Sequence, residues 1–217
     1  MKKIMYLMGI LISFPLFAVQ LQCAKGPVER AGMILVKVYP DGVPCVLVGK
    51  DIRQGYINFP AGECDLSDQY SFKAAARETM EETGNALHFS SKDVSEMDYI
   101  YSNRHKIELF IHRDDNLSVN ILTASVAAAQ SNPALGREYK EVDQYYAIPI
   151  QNLLDVAKGI QNAGYPSSQN ISAQGLNAIK SKNGHNLVFE SHYIAAIAQD
   201  YANAKNIFEK LTGQIFQ

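Results

Sequence analysis

The pattern of apolar and polar positions predicts two pairs of β-strands and one later strand. Residues 32–38 (GMILVKV) and 44–50 (PCVLVGK) are rich in β-branched and apolar residues, and they flank the turn signal Asp41-Gly42. This arrangement predicts a β-hairpin. The remaining strands are predicted at residues 97–102, 106–113 and 142–150.

Helices are predicted between and after these strands. Residues 71–83 form one helical segment, which Gly84 ends as a left-handed cap. Residues 191–211 carry apolar side chains at spacings of three and four, which predicts a helix packed on a core. Residues 115–135 and 158–190 are compatible with either helices or long surface loops.

The N-terminus has the layout of a secretory signal peptide, which we assign to residues 1–18. A pair of lysines precedes an almost wholly apolar run over residues 4–19, which is short for a membrane span of roughly 20 residues. We expect cleavage after Ala18 and export to the periplasm or the exterior. No stable membrane span is expected afterwards.

Three cysteines, Cys23, Cys45 and Cys64, would meet an oxidising environment after export. One disulfide with one free thiol and three isolated thiols are both open, because the spacing fixes no pairing and matches no zinc site. The segment before Cys23 loosely resembles a lipoprotein acceptor, so a lipid anchor on that cysteine is a less favoured alternative.

Composition limits the classes of function. The chain has 217 residues, of which 47% are hydrophobic and 19% charged, as expected for one packed domain. Twenty basic residues face 22 acidic residues, and no basic run is present. Nucleic acid is therefore not expected as a partner.

The segment from residue 59 to residue 84 carries the chemistry. One stripe of its predicted helix is expected to pack and contains Phe72, Ala76, Thr79, Met80 and Thr83. The opposite arc is acidic, is expected to face solvent, and contains Glu78, Glu81 and Glu82. Like charges one turn apart destabilise a helix, and a bound divalent cation would remove that cost. Oxygen ligands of this density suit Mg²⁺ or Mn²⁺.

Residues 62–85 resemble the Nudix box, the signature G-x5-E-x7-R-E-U-x-E-E-x-G-U of the Nudix hydrolases, in which U is aliphatic. Residues 77–84 (RETMEETG) match its second half at every charged position, although Thr79 and Asn85 replace the aliphatic residues. In the first half, Asp68 replaces the glutamate and eight residues, not seven, separate it from Arg77. The order of elements over residues 30–157 also resembles that of the family.

This resemblance implies an α/β fold in which a mixed β-sheet is sandwiched between helices. Residues 19–217 would form one Nudix domain, and residues 158–217, which lie outside the matched part, would be a C-terminal helical extension. The implied reaction is metal-dependent hydrolysis of a phosphoanhydride in a nucleoside diphosphate linked to another group, as in ADP-ribose.

The resemblance also implies roles for individual residues. Glu78 and Glu82 would be the primary metal ligands, with Glu81 shared or bound through water. A backbone carbonyl near Ala61 or Gly62 would complete the coordination. Arg77 would hold a box glutamate in place and would not contact substrate.

The remaining roles are assigned to residues outside the helix. Glu141 is the preferred general base, ahead of Glu138, because it directly precedes the late strand. Arg53, Arg104 and Tyr101 are candidates for binding phosphate or stacking on a base.

Three alternatives to the ADP-ribose-like reaction stay open. Asp68 and the extra loop residue resemble the branch of the family that acts on coenzyme A, and dinucleoside polyphosphates are another possible substrate. A module that binds nucleotide without cleaving it is the alternative from a different class. The three intact glutamates argue against such a module, because a binder would not need all of them.

Overall fold

The structure is a computed structural model that describes residues 22–23 and 26–217; the predicted signal peptide lies outside the described residues. The strands are β1 (Arg30–Val38), β2 (Pro44–Asp51), β3 (Ile57–Asn58), β4 (Ala61–Glu63), β5 (Tyr99–Ser102), β6 (Ile107–Arg113), β7 (Val142–Pro149), β8 (Ala178–Lys180) and β9 (Asn186–Val188). The α-helices are α1 (Ser71–Glu82), α2 (Ser91–Ser95), α3 (Val119–Ser131), α4 (Ile150–Asn162), α5 (Ser168–Ala173), α6 (Ser191–Gln199) and α7 (Tyr201–Thr212).

Strand β1 organises a mixed sheet. It pairs antiparallel with β2 and β4 and parallel with β6, while β2 also pairs with β3 and β7, and β5 pairs with β6. The predicted β1–β2 hairpin turns at Gly42, whose φ of 80° favours glycine. The predicted strands are therefore all present, with ends shifted by at most a few residues.

Helices cover both faces of this sheet. Met33 and Leu35 point to the side of α1, α2 and α3, whereas Ile34 and Val36 point to the side of α4, α6 and α7. All four side chains are fully buried. Successive residues of a strand point to opposite faces, so a continuous apolar run such as that of β1 fits a sheet covered on both sides. The predicted mixed sheet between helices is confirmed.

The C-terminal part differs from the predicted helical extension. Residues 158–217 include the β8–β9 hairpin, and together with α4 they form one complete helical layer of the sandwich. The helix predicted over residues 191–211 is interrupted at Asp200, which ends α6 and precedes α7. The apolar spacing continues across the break because both helices pack on the same side of the sheet. The segment left open at residues 115–135 contains α3.

The cysteine alternatives are resolved by a disulfide between Cys23 and Cys64, while Cys45 is a buried free thiol. A lipid on Cys23 would require the same sulfur atom. Within residues 22–23 and 26–217, no helix is long and apolar enough to cross a membrane.

Candidate active site

A cleft of about 470 Å³ lies where α1, the β3–β4 segment and the start of α6 meet. Carboxylates dominate its lining. They belong to Asp51, Glu63, Glu78, Glu81, Glu82, Glu138, Glu141 and Glu190. The guanidinium groups of Arg30 and Arg77 also line it. The cleft is strongly acidic, and anions are repelled from it unless cations intervene.

Helix α1 supplies the central glutamates and ends as predicted. Thr83 is its C-cap, and Gly84 follows with a φ of 61°. A Cβ atom on Gly84 would lie 2.7 Å from the carbonyl oxygen of Ser125 in α3. Both the left-handed backbone and this close approach require glycine, so the end of α1 is fixed against α3.

The acidic arc of α1 is not the solvated face that the sequence predicts. Glu78 is only 9% exposed, and the side chain of Glu81 is 13% exposed. Burial raises the pKa of Glu78 to about 7 and raises the pKa of Glu81. Burial, followed by the charge of Glu78, raises the pKa of Glu82 well above its usual range. The structure thus concentrates poorly solvated carboxylates on one wall of the cleft.

The predicted packing stripe of α1 is mostly confirmed. Phe72, Thr79 and Thr83 are buried, and Ala76 and Met80 are only half-buried. The hydroxyl groups of Thr79 and Thr83 donate to the backbone carbonyls of Ala75 and Thr79, respectively, four residues earlier. Thr79, which stands where the Nudix signature has an aliphatic residue, is therefore accommodated without an unpaired hydroxyl.

Arg77 connects the loop before α1 to the acidic arc. Its guanidinium donates to both carboxylate oxygens of Asp68, with Nη2–Oδ2 at 2.8 Å and Nε–Oδ1 at 3.4 Å. It also donates to Glu78 Oε1 at 2.6 Å and to Glu81 Oε2 at 3.1 Å. These contacts agree with the expectation that Arg77 positions box carboxylates.

Strand β4 lies against the same glutamates. A Cβ atom on Gly62 would lie 2.4 Å from Cδ of Glu78, so any other residue at this position would displace this carboxylate. The backbone N–H of Ala61 donates to the carboxylate of Glu82. The carbonyl of Ala61 accepts a hydrogen bond from the Tyr193 hydroxyl at 3.2 Å. The two backbone positions proposed as metal ligands are therefore adjacent to the glutamates.

The other predicted site residues divide into two groups. Glu141 lines the cleft, and Arg53 Nη2 donates to its Oε1 at 3.2 Å. Arg104 and Tyr101 are not among the residues that line the cleft, and their role in substrate binding stays a prediction. The hydroxyl of Tyr101 donates to the carbonyl of Pro27 at 3.4 Å, and Arg104 is exposed. Both lie at the β5–β6 end of the sheet, which the sequence could not place relative to α1.

The sequence did not predict that Glu190, His192 and Tyr193, at the start of α6, line the cleft. The backbone N–H of Glu190 donates to the carbonyl of Ile57 at 2.9 Å, which joins the start of α6 to β3. His192 and Tyr193 follow on α6 and line the cleft, and His192 Nδ1 lies 2.8 Å from Glu190 Oε1. An acidic residue before an apolar periodic run marks a helix start, but this signal does not show which strand the helix joins.

The side chains fit a hard divalent cation by their chemistry. Glu78, Glu81 and Glu82 offer only oxygen atoms, the type of ligand that Mg²⁺ and Mn²⁺ take. Across the described ranges, no three metal-binding side chains are already gathered closely enough to hold an ion. Arg77 instead contacts two of these carboxylates, so a cation would compete with its guanidinium for their oxygen atoms.

Comparison with known proteins adds little to these observations. No protein-family model matches the chain, and no curated protein matches it. Two solved structures of an Ap4A hydrolase from C. elegans are similar at 19% and 15% identity, with TM-scores of 0.36 and 0.33. Each similarity covers 60% of this chain and 84% of the other. These values are too low to assign a fold or an activity to this chain.

Proposed function

We propose that this protein is a metal-dependent pyrophosphohydrolase of the Nudix type. The observation that carries the proposal is the acidic arc of α1, whose three box glutamates are gathered in one cleft and held by Arg77 and β4. A purely structural helix would gain nothing from carboxylates that burial makes costly to ionise. A reaction site for a metal-bound diphosphate accounts for them.

Glu78, Glu81 and Glu82 would hold Mg²⁺ or Mn²⁺, with Gly62 or Ala61 contributing a backbone carbonyl. When bound, the cation neutralises phosphate charge and lowers the pKa of water. Arg77 orients Glu78 and Glu81 through its contacts at 2.6 and 3.1 Å. Glu141, whose carboxylate Arg53 fixes at 3.2 Å, would accept the proton of the attacking water.

The substrate we propose is a nucleoside diphosphate linked to another group, such as ADP-ribose. Arg30 on β1 and His192 on α6 also line the cleft, and they offer donors to a phosphate group of such a substrate. Coenzyme A and dinucleoside polyphosphates share the same phosphoanhydride bond and are the alternatives for a substrate screen.

We also propose that the protein acts after export. The apolar N-terminal segment supports a signal peptide, and the Cys23–Cys64 disulfide is of the kind that persists in an oxidising compartment. Mass analysis of the mature protein from the native host would show whether residues 1–18 are removed.

The decisive experiment measures turnover of ADP-ribose, coenzyme A and diadenosine polyphosphates with Mg²⁺, and identifies the products. Glu82→Gln should lower kcat by roughly a hundredfold or more, because it removes a ligand charge at the transition state. Glu96→Gln makes the same chemical change at an exposed glutamate of the α2 end and should leave kcat unchanged. Turnover that persisted in excess chelator would refute the metal mechanism.

A further inference from the structure

A second cavity, of about 440 Å³, lies between the end of β1, the start of α3, the middle of β7 and the loop after β8. We call it the lysine pocket. Lys37 and Lys182 line it, and within the described chain no aspartate or glutamate does. The lysine pocket and the acidic cleft share no lining residue. The charged residues that line the lysine pocket are therefore basic, whereas carboxylates dominate the lining of the acidic cleft; Asp41, outside the lining, pairs with Lys182.

The two ammonium groups converge on one aromatic ring. Lys182 Nζ lies 5.0 Å and Lys37 Nζ 5.4 Å from the centroid of the Tyr39 ring. Each ammonium group is attracted to the electron-rich face of this ring. Lys182 is also paired with the carboxylate of Asp41, whereas Lys37 donates to two backbone carbonyls, so a bound anion would supply a counter-charge to Lys37.

These lysines retain hydrogen-bond donors for such an anion. An ammonium group has three donors. Lys37 uses two on the backbone carbonyls of Asp115 and Leu117, and Lys182 uses one on the carboxylate of Asp41. Amide and hydroxyl groups of Asn116, Asn120, Asn183, Ser118, Ser181 and Thr123 surround them. Several converging donors around two cations suit the terminal oxygen atoms of a phosphate group.

Aromatic side chains occupy another part of the lining. Tyr146 and His185 pack edge to face, with ring centroids 5.8 Å apart. Tyr146 is half-buried and His185 is exposed, so their rings present apolar surface beside the lysines. A planar heterocycle can pack on such surface.

We propose that the lysine pocket is a second ligand site, which binds a small phosphorylated molecule with an aromatic ring, the chemistry of a nucleoside monophosphate. Its volume lies within the range of ordinary small-molecule sites. The site does not depend on the proposed hydrolysis, because none of its residues belongs to the acidic cleft.

Calorimetric titration of the full mature protein with AMP in excess chelator tests the proposal. Without metal the acidic cleft repels phosphate, so saturable binding reports the lysine pocket. Lys182→Gln should weaken AMP binding by about tenfold or more, the usual cost of a lost charge-assisted hydrogen bond. Circular dichroism of each variant verifies that it is folded, and His185→Ala provides a second variant on the aromatic side.

Lys158→Gln is the matched control. Lys158 Nζ lies 5.0 Å from the Tyr201 ring centroid, the same distance as in the Lys182–Tyr39 pair, but outside the pocket. Its substitution should leave AMP binding unchanged. Absence of saturable binding to the wild type, or equal affinity in wild type and Lys182→Gln, would overturn the proposal.

Titrations with inorganic phosphate and adenosine separate the two parts of the ligand. We expect both to bind more weakly than AMP. Phosphate that bound as tightly as AMP would overturn the role of the aromatic side chains, and adenosine that bound as tightly would overturn the role of the lysines.

Discussion

Arg77 donates two hydrogen bonds to the carboxylate of Asp68, with Nη2–Oδ2 at 2.8 Å and Nε–Oδ1 at 3.4 Å. Asp68 is 6% exposed, and its Oδ2 also accepts the backbone N–H of Asp65 at 2.8 Å. The pair therefore closes the loop that enters α1 and fixes the start of the acidic arc. Asp68 stands where the Nudix signature has a glutamate and the loop is one residue longer than in that signature, yet a carboxylate reaches Arg77.

Asp68→Asn should destabilise the protein by about 3 kcal/mol, because it removes one partner of a largely buried ion pair. Asp65→Asn makes the same change next to the same arginine, but its side chain is 65% exposed and lies 3.7 Å from Arg77 Nη2. This control substitution should lower the free energy of unfolding by less than about 1 kcal/mol. Urea unfolding measures the free energy of unfolding of both variants. Equal losses of stability would contradict the buried Arg77–Asp68 ion pair.

Glu141→Gln should reduce kcat by about a hundredfold if this carboxylate accepts the proton of the attacking water. Glu138→Gln is the comparison, since Glu138 lines the same cleft but is exposed, whereas Glu141 is half-buried and paired with Arg53. We expect a smaller reduction of kcat in Glu138→Gln than in Glu141→Gln. Initial rates with saturating Mg²⁺ measure both reductions. A larger loss in Glu138→Gln would make Glu138 the general base.

Glu108 should make the protein less stable as the pH rises. It is 2% exposed, its Oε2 has no hydrogen-bond partner within the described residues, and burial raises its pKa from 4.5 to about 7. Between these values the folded protein binds a proton that the unfolded chain has lost, so stability falls as the pH rises through this window. The loss should approach roughly 3 kcal/mol by pH 8.

Glu108→Gln should remove the part of the stability loss at rising pH that comes from the titration of Glu108. Urea unfolding at pH 5 and pH 8 should show a smaller decline in the variant than in the wild type, although Glu78 and Glu82 titrate in the same direction. Glu96→Gln, at an exposed position, should retain the full decline. An identical pH dependence in the wild type and Glu108→Gln would show that Glu108 does not titrate in this window.

Reduction of the Cys23–Cys64 disulfide should lower stability by about 4 kcal/mol, the loop-closure value for its separation of 41 residues. Unfolding with and without reducing agent measures the effect. The variant Cys23→Ser/Cys64→Ser should not respond to reductant. In the reduced wild type, Cys45 should not form a disulfide with Cys23 or Cys64, because it is buried and burial raises its pKa to about 12.

The sequence by itself determined the elements whose signals are local. The β1–β2 hairpin follows from two β-rich runs around Asp41-Gly42, and α1 begins at residue 71 and ends before Gly84 as predicted. The box pattern also identified Arg77 and the three glutamates of α1, all of which line the cleft. Turn chemistry, helix caps and periodicity depend on neighbours a few residues away, so they can be read directly from the chain.

Only the tertiary structure decided how those elements become a site. Tyr193 reaches the carbonyl of Ala61 across 132 residues of sequence, and Glu190 joins β3. These contacts build the C-terminal wall of the cleft, while β4 and Arg77 pack against the glutamates of α1. Burial, pKa and disulfide pairing depend on which distant segments pack together, and helical periodicity specifies one face of a helix without specifying what covers it.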